Sequence, residues 1–375
     1  MTDEFYIKRA LRLARRGEKW VSPNPMVGAV IVKENRIIGE GYHERFGGDH
    51  AEINAIRNAS EAIEGATIYV TLEPCNHYGR TPPCVESLIA CKPARVVLGT
   101  PDPNPLVSGR SIEALKHHNI ETTVGVLGEE CKQLNERFFK FITTRIPFVT
   151  LKFAQTLDGR IATSTGHSQW ISSAASLRFA HTLRSIHDGI LVGVGTIVQD
   201  DPDLTVRLVR GRNPVRIVLD SRLRIPLKAR ILKNQGLART IIATTCQASL
   251  EKRARLKELG IEILLVEQDN DRRINMKKLF AELGKRDISS ILVEGGAEII
   301  TSVIKEKLAD RVIIVIAPKI IGKGIEAVGD LGISVIDDAI SLSYKKISRK
   351  GDDIIIELQV TSCNLQVVSR KSKDV

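Results

Sequence analysis

Hydrophobic and polar positions alternate along the chain with two periods. Near the start, Tyr6, Ala10, Leu13 and Ala14 recur at helical spacing and predict an amphipathic helix. Val27–Lys33 and Arg36–Gly41 are apolar-rich runs joined by Glu34-Asn35, a turn signal between strands. Ile53 and Ile56 place Ala51–Ala59 on a helix, Ala66–Leu72 reads as a strand, Cys84–Ala90 as a short helix and Arg95–Gly99 as another strand. Helix and strand keep alternating to about Lys140. Such alternation predicts a sandwich of α, β and α layers.

A break falls near Thr143–Pro147, and Phe148–Ala154 begins a new strand. Further strands are expected at Ile190–Val194, Val215–Leu219, Thr240–Thr245, Ile261–Val266, Ile291–Val293 and Val312–Ile316. Helices fit Ala174–Ile186, Leu250–Leu259, Met276–Lys285 and Glu298–Glu306. Ser341–Ile347 and Ile354–Val360 lack a long helix between them and are expected to pair as a hairpin at a sheet edge. Two unlike α/β domains follow, 1–145 and 146–363, with a polar, basic tail at 364–375 expected to be mobile.

Composition narrows the class. The length of 375 residues suits two domains, and the 43% apolar content is enough to build real cores. No apolar run approaches the ~20 residues of a membrane span. Met1–Trp20, with Lys8, Arg9, Arg12, Arg15, Arg16 and Lys19 and no apolar stretch behind them, reads as neither a signal peptide nor an anchor. Six cysteines make no disulfide framework, so the expected compartment is the reducing cytoplasm. The net charge of +11 favours an anionic small substrate over nucleic acid, because aromatic residues for base stacking are only 4%.

The chemistry concentrates in His50-Ala51-Glu52, Pro74-Cys75 and Cys84. Nucleobase deaminases carry a His-x-Glu and Pro-Cys-x-x-Cys signature. One imidazole and two thiolates on zinc leave a fourth position for water, whose pKa falls to ~7. A nearby carboxylate then moves the water's proton to departing ammonia. His50, Cys75 and Cys84 are the expected ligands of one zinc ion per chain, and Glu52, at a helix start, is the expected proton shuttle. Eight residues rather than two separate Cys75 from Cys84, and His43 and His77 are rival ligands. Read singly, the three donors are ordinary buried residues. Cys91, Cys131, Cys246 and Cys363 lack such company. In the second half, Val293-Glu294-Gly295-Gly296-Ala297 is a glycine turn between strand and helix, a place where backbone N–H groups can meet a phosphate. No G-x-G-x-x-G dinucleotide fingerprint is present.

Thr71–Cys84, with Pro23-Asn24-Pro25-Met26-Val27-Gly28 and Asp102-Pro103-Asn104-Pro105, resembles the deaminase half of the bifunctional riboflavin-biosynthesis deaminase/reductase family. The long Cys–Cys insert is normal there. Leu151–Arg160, Ser168-Gln169-Trp170-Ile171-Ser172, Gly193-Val194-Gly195-Thr196 and Asp200–Thr205 are similar to its reductase half, in the same order. The resemblance covers most of the chain. It implies a cytidine-deaminase-like α/β/α sandwich followed by a dihydrofolate-reductase-like α/β domain. It implies zinc at His50, Cys75 and Cys84, and substrate contacts at Asn24, His77 and Arg80. NADPH contacts are implied at Ala154, Trp170, Thr196, Asp200, Ser221 and the turn Gly296, Ala297, Glu298, Ile299, Ile300, Thr301 and Ser302. Reductase-substrate contacts are implied at Ser168, Arg184, Leu204, Arg207 and Glu294, with Lys152 added. Arg184 and Arg207 suit a 5′-phosphate. Plainer readings exist: Arg80 as a solvated loop cation, Trp170 as core, Arg184 as a solvated helix face.

The implied chemistry is deamination of 2,5-diamino-6-(5-phosphoribosylamino)pyrimidin-4-one, then NADPH reduction of its ribosyl group to give 5-amino-6-(5-phosphoribitylamino)uracil. The resemblance also suggests a homo-oligomer built through the reductase halves. The rival expectations are a cytosine or tRNA-adenine deaminase with a C-terminal recognition module, and a scaffold in which zinc is purely structural.

Overall fold

The computed structural model describes residues 1–78, 82–104 and 107–360. The first helix, α1 (Asp3–Ala14), starts at Thr2, whose hydroxyl accepts from the Phe5 N–H, with Asp3 and Glu4 in the first turn where the helix dipole favours acids. Strands β1 (Gly28–Lys33) and β2 (Arg36–Tyr42) form the expected hairpin. Both turn residues, Glu34 and Asn35, have positive φ, as a tight two-residue turn demands. Then follow α2 (Ala51–Arg57), β3 (Thr67–Val70), α3 (Cys84–Ala90), β4 (Arg95–Leu98), α4 (Arg110–His117), β5 (Glu121–Val124), α5 (Gly128–Leu134) and α6 (Glu136–Thr144).

The five strands form one sheet in the order β2-β1-β3-β4-β5. The β1 pairings with β2 and β3 are antiparallel, and β3-β4-β5 are parallel. Alternation along each strand sorts its side chains to two faces. Ala29, Ile31, Ile68, Val70, Val96 and Leu98 pack with Ala51 and Ala55 of α2, Val85 and Leu88 of α3 and Leu115 of α4. Val30, Val32, Tyr69 and Val97 pack with Tyr6, Ile7, Ala10 and Leu11 of α1 and Cys131 of α5. This is the expected three-layer sandwich. Gly41 of β2 lets α2 approach closely, since a Cβ there would lie 2.3 Å from the Ala55 nitrogen and 2.4 Å from the Ala51 oxygen. The start of α2 is thereby held against the sheet.

The chain continues through β6 (Phe148–Thr156), β7 (Arg160–Thr163), α7 (Ala174–Ile186), β8 (Gly189–Gly193), α8 (Val194–Asp200), β9 (Val215–Leu219), β10 (Thr240–Thr244), α9 (Leu250–Glu258), β11 (Glu262–Leu265), α10 (Met276–Gly284), β12 (Ser290–Val293), α11 (Ala297–Lys305), β13 (Arg311–Ala317), β14 (Gly324–Glu326), β15 (Leu342–Lys350) and β16 (Asp353–Val360). Two compact units result. The first joins Met1–Phe148 with Arg178–Leu292, and the second joins Val149–Leu177 with the described residues from Val293 on. Besides the sandwich, the first unit carries strands in the order β11-β10-β9-β8-β12, parallel from β8 to β11. Residues of β8, β9 and β10 (Ile190, Val192, Val218, Ile242) pack with Leu256 of α9. In the second unit, β6 and β13 are parallel and β13, β16 and β15 antiparallel. The expected C-terminal hairpin is therefore present, with β15 outermost. Strands β7 and β14 pair separately and were not expected. The strand predicted to run to Val194 ends at Gly193, and α8 begins directly after it. No helix among the described residues is long and apolar enough to cross a membrane.

Candidate active site

Three element boundaries meet on one side of the sandwich. His50 is the N-cap of α2, with extended backbone. Cys75 follows β3, and Cys84 is the first residue of α3. His50 Nδ1 lies 3.2 Å from Cys84 Sγ and 3.5 Å from Cys75 Sγ, and all three donor atoms fall within 4.8 Å of one another. Tetrahedral bonds of ~2.0 Å to nitrogen and ~2.3 Å to sulfur put neighbouring donors about 3.5 Å apart, so the donor set fits zinc in size and chemistry. No other such cluster occurs among the described residues. The Cys84 backbone N–H points at Cys75 Sγ (3.3 Å) and the Val85 N–H at the Cys75 carbonyl (3.2 Å), tying α3 to the end of β3. The hydrogen bond from Cys84 lowers the pKa of the Cys75 thiol, and that from Cys75 raises His50.

Glu52 lies two residues into α2, 3% exposed, in the same cavity of about 350 Å³ as His50 and Cys75. Burial pushes its carboxyl up to about 7, against the pull of His50. A carboxyl poised there can both take and give a proton near neutral pH. Asn24 and His77 line this cavity too. His43 is not a rival ligand: its Nε2 lies 3.1 Å from Asn24 Nδ2 and its Nδ1 3.0 Å from the Asp49 carbonyl, so both ring nitrogens are engaged. Burial lowers its pKa. A neutral ring donating from Nδ1 leaves Nε2 to accept from Asn24, which orients that amide. Arg80 and the tail 364–375, like Cys363, lie outside the described residues. Of the other cysteines, Cys131 is buried and Cys246 exposed.

Glu73 is not among the expected site residues. It is 3% exposed, and its carboxylate accepts from the backbone N–H groups of Asp102 (3.2 Å), Gly109 (3.1 Å) and Ser111 (3.2 Å). Ser111 Oγ also donates to the Pro74 carbonyl at 2.6 Å. The residue directly before Pro74-Cys75 therefore braces the chain that brings Asp102 and Asn104 to the cavity wall. Burial raises the Asp102 carboxyl to about 6. The available signal was an acid between an apolar strand and the Pro-Cys pair, a position too buried for a solvated charge.

In the second half, Arg184, Leu204 and Arg207 gather in the first unit. Arg184 Nη1 lies 3.5 Å from the Thr205 carbonyl, Arg207 Nη1 3.2 Å from Thr205 Oγ1, and the Arg207 N–H donates to His181 Nδ1 at 3.0 Å. Leu204 is buried with φ +53°. Thr196 and Asp200 sit on α8, while Asp201 Oδ1 accepts from the Arg230 N–H at 2.8 Å. Ser221 follows β9, its carbonyl accepting from Thr245 Oγ1 at 2.8 Å. In the second unit, Lys152 and Ala154 lie on β6, paired with Ile313 and Val315. Ser168 and Trp170 lie between β7 and α7, and Trp170 is 66% exposed, so it is not core. Glu294 leads to Gly296, the N-cap of α11. Along that turn Gly296 and Glu298 are exposed, Ile300 is fully buried, and Thr301 Oγ1 receives the Gly329 N–H at 2.8 Å.

Residues 1–100 match the cytidine and deoxycytidylate deaminase zinc-binding region, and residues 147–356 match the RibD C-terminal domain. With the donor set beside a buried glutamate, these matches define a zinc-dependent deaminase joined to a reductase. The chain is 46% identical over 355 residues to riboflavin biosynthesis protein RibD of Aquifex aeolicus, covering 94% of this chain and 97% of the relative. It is 40% identical to that of Escherichia coli over 372 residues, covering 96% and 99%. Among solved structures, Acinetobacter baumannii RibD superposes with a TM-score of 0.88 at 35% identity, covering 96% of this chain and 99% of that one. The diaminohydroxyphosphoribosylaminopyrimidine deaminase/5-amino-6-(5-phosphoribosylamino)uracil reductase of Thermotoga maritima gives 0.83 at 39% identity, with the same coverage. The chain belongs to the RibD family. It is a bifunctional deaminase and reductase of riboflavin biosynthesis, with zinc serving the first domain and NADPH the second. The reading as a cytosine or tRNA-adenine deaminase with a recognition module is set aside, since the second half is itself a reductase domain.

Replacing Glu73 by Gln removes the charge that three backbone donors share. The expected cost is about 2 kcal/mol. Urea unfolding of the purified protein checks it, and an unchanged midpoint would show that the brace contributes nothing.

Proposed function

We propose that the deaminase domain acts on 2,5-diamino-6-(5-phosphoribosylamino)pyrimidin-4-one and that the reductase domain then converts the ribosyl chain of the product to ribityl. The observation that carries the first step is Glu52, buried within the cavity that His50 and Cys75 line. His50, Cys75 and Cys84 would hold the zinc ion, which when bound supplies a Lewis acid that brings the pKa of water to ~7. Glu52 takes a proton from the attacking water and delivers it to the ring nitrogen, then carries the remaining hydroxyl proton to the amino group, which leaves as ammonia as the ring carbon gains its carbonyl oxygen. Asn24 and His77, with Arg80, would hold the phosphoribosyl-pyrimidine.

In the reductase domain the dinucleotide, when bound, supplies hydride to C1′ of the sugar. Arg184 and Arg207, both tied to Thr205, are suited to the 5′-phosphate, joined by Lys152, Ser168, Leu204 and Glu294 around the substrate. Ala154, Trp170, Thr196, Asp200, Ser221 and the exposed part of the Gly296–Ser302 turn would receive NADPH. Asp200, or the adjacent Asp201, would assist the proton that completes reduction. We set the domain boundary at residues 145 and 146, supported by the end of α6 at Thr144 and the family match that begins at 147. The thiolate donors suit a reducing cytoplasm. We also propose a homo-oligomer through the reductase domains, supported by Tyr344 and Ile347, 70% and 62% exposed on the outermost strand β15.

Glu52→Gln is expected to retain zinc and reduction but lose about 10³- to 10⁴-fold in ammonia release, while Cys75→Ala loses zinc and deamination together. Metal analysis beside ammonia and NADPH-absorbance assays tests both, and near-normal ammonia release from Glu52→Gln would remove it from the mechanism. Arg207→Ala should raise KM for the phosphorylated reductase substrate far more than for its dephosphorylated analogue; equal effects would rule out a phosphate contact. Ile347→Lys should reduce the mass measured by sedimentation equilibrium, and an unaltered oligomer would clear β15 of that role.

A further inference from the structure

The sequence offers no reason to link Ser22, near the start of the chain, to Asp188 just ahead of β8, yet their side chains meet in the first unit. Ser22 Oγ donates to Asp188 Oδ2 at 2.9 Å and lies 3.1 Å from Ser289 Oγ. The same carboxylate oxygen accepts from the backbone N–H groups of Ser289 (3.0 Å) and Ser290 (3.1 Å) and from the hydroxyls of Ser289 (2.5 Å) and Ser290 (3.2 Å). Its partner oxygen takes Arg212 Nη2 at 2.5 Å. Asp188 is 8% exposed. It directly precedes β8, and Ser290 opens β12, so the anchor is fastened to strand ends.

Ser22 stands two residues from Asn24, which lines the deaminase cavity and touches His43 Nε2. Only Pro23 separates the two residues, which leaves little slack between the anchored hydroxyl and the cavity amide. The far end of the same loop is clamped as well. Met26 exchanges two hydrogen bonds with the Asn135 side chain, N–H to Oδ1 at 2.8 Å and Nδ2 to carbonyl at 2.9 Å. Arg137 adds a third tie, from Nη1 to the Ile186 carbonyl at 2.6 Å and from Nη2 to Glu18 at 3.2 Å.

We infer that Asp188 is a positioning residue for deamination: through Ser22 it fixes the loop that presents Asn24 to the substrate. This rests on the reading of Asn24 as a substrate contact. Burial alone would push the Asp188 carboxyl up, but Arg212 and the serine hydroxyls outweigh it and keep the group ionised. A residue outside the 1–145 segment thereby helps shape the cavity of the zinc-dependent step. Freed from the anchor, the loop can shift by the ångström or so that degrades alignment of a bound substrate.

The experiment uses the full-length, zinc-loaded enzyme carrying Ser22→Ala, Ser22→Thr, Asp188→Asn or Asn24→Ala, with deamination and reduction assayed separately. Ser22→Ala is expected to raise KM for deamination about fivefold, with kcat within about twofold, because only the displacement of Asn24 reaches the substrate. Zinc content and reduction stay unchanged. Ser22→Thr restores the hydroxyl and with it the KM, and Asp188→Asn moves KM in the same direction as Ser22→Ala. A fall in melting temperature with KM unmoved, or a KM rise that Ser22→Thr does not reverse, overturns the inference. A KM rise in Asn24→Ala without one in Ser22→Ala removes the anchor and leaves Asn24 as a contact. The opposite pattern supports the anchor and removes Asn24 as the contact it serves.

Discussion

The His50, Cys75 and Cys84 donors come from three separate stretches of chain, and keeping them within 4.8 Å of one another constrains everything around them. Their own contacts cannot bring such distant stretches of chain together, so the sheet and its helices must hold them. The N-cap of α2 supplies one donor, the stretch after β3 another, and the first residue of α3 the third. Gly41 lets α2 seat its backbone on β2, and the Cys84 and Val85 N–H groups bind α3 to Cys75. The same seating carries Glu52, two residues after His50, into the cavity. Donor cluster, buried glutamate and cavity are thus consequences of one packing arrangement.

Much of this was legible in the sequence because it rests on local chemistry. Helical spacing, the Glu34-Asn35 turn and the apolar runs located most elements to within a residue or two. His-x-Glu beside Pro-Cys singled out the donor set because few other arrangements have reason to place those residue types together. What escaped depends on residues distant in sequence. Glu73 serves backbone groups up to 38 positions away, and Asp188 meets Ser22 across 166. Neither partner set follows a period, so no pattern announces it. His43 was open as a ligand until its two ring nitrogens were seen to be spoken for by Asn24 and Asp49. The short pair β7 and β14 also lay hidden, since four- and three-residue strands leave too brief an alternation to read.

Buried carboxylates divide the labour by what faces them. Glu73 and Asp188 each collect backbone N–H groups, and both act as fasteners. Glu52 and Asp102 lie on the cavity and are pushed upward by burial. Donors that face a carboxylate favour its charged form, and burial favours the protonated one. Asp188 is held ionised in this way, while Glu52 and Asp102 are the groups brought toward neutrality.

Cys75 and Cys84 are both pinned, one after a core strand and one at a helix origin, and eight residues run between them. A tether fastened at both ends can change length cheaply: each doubling adds only about 0.6 kcal/mol of closure entropy. The length of that span can therefore change at little cost in closure entropy to the packing that holds the two sulfurs.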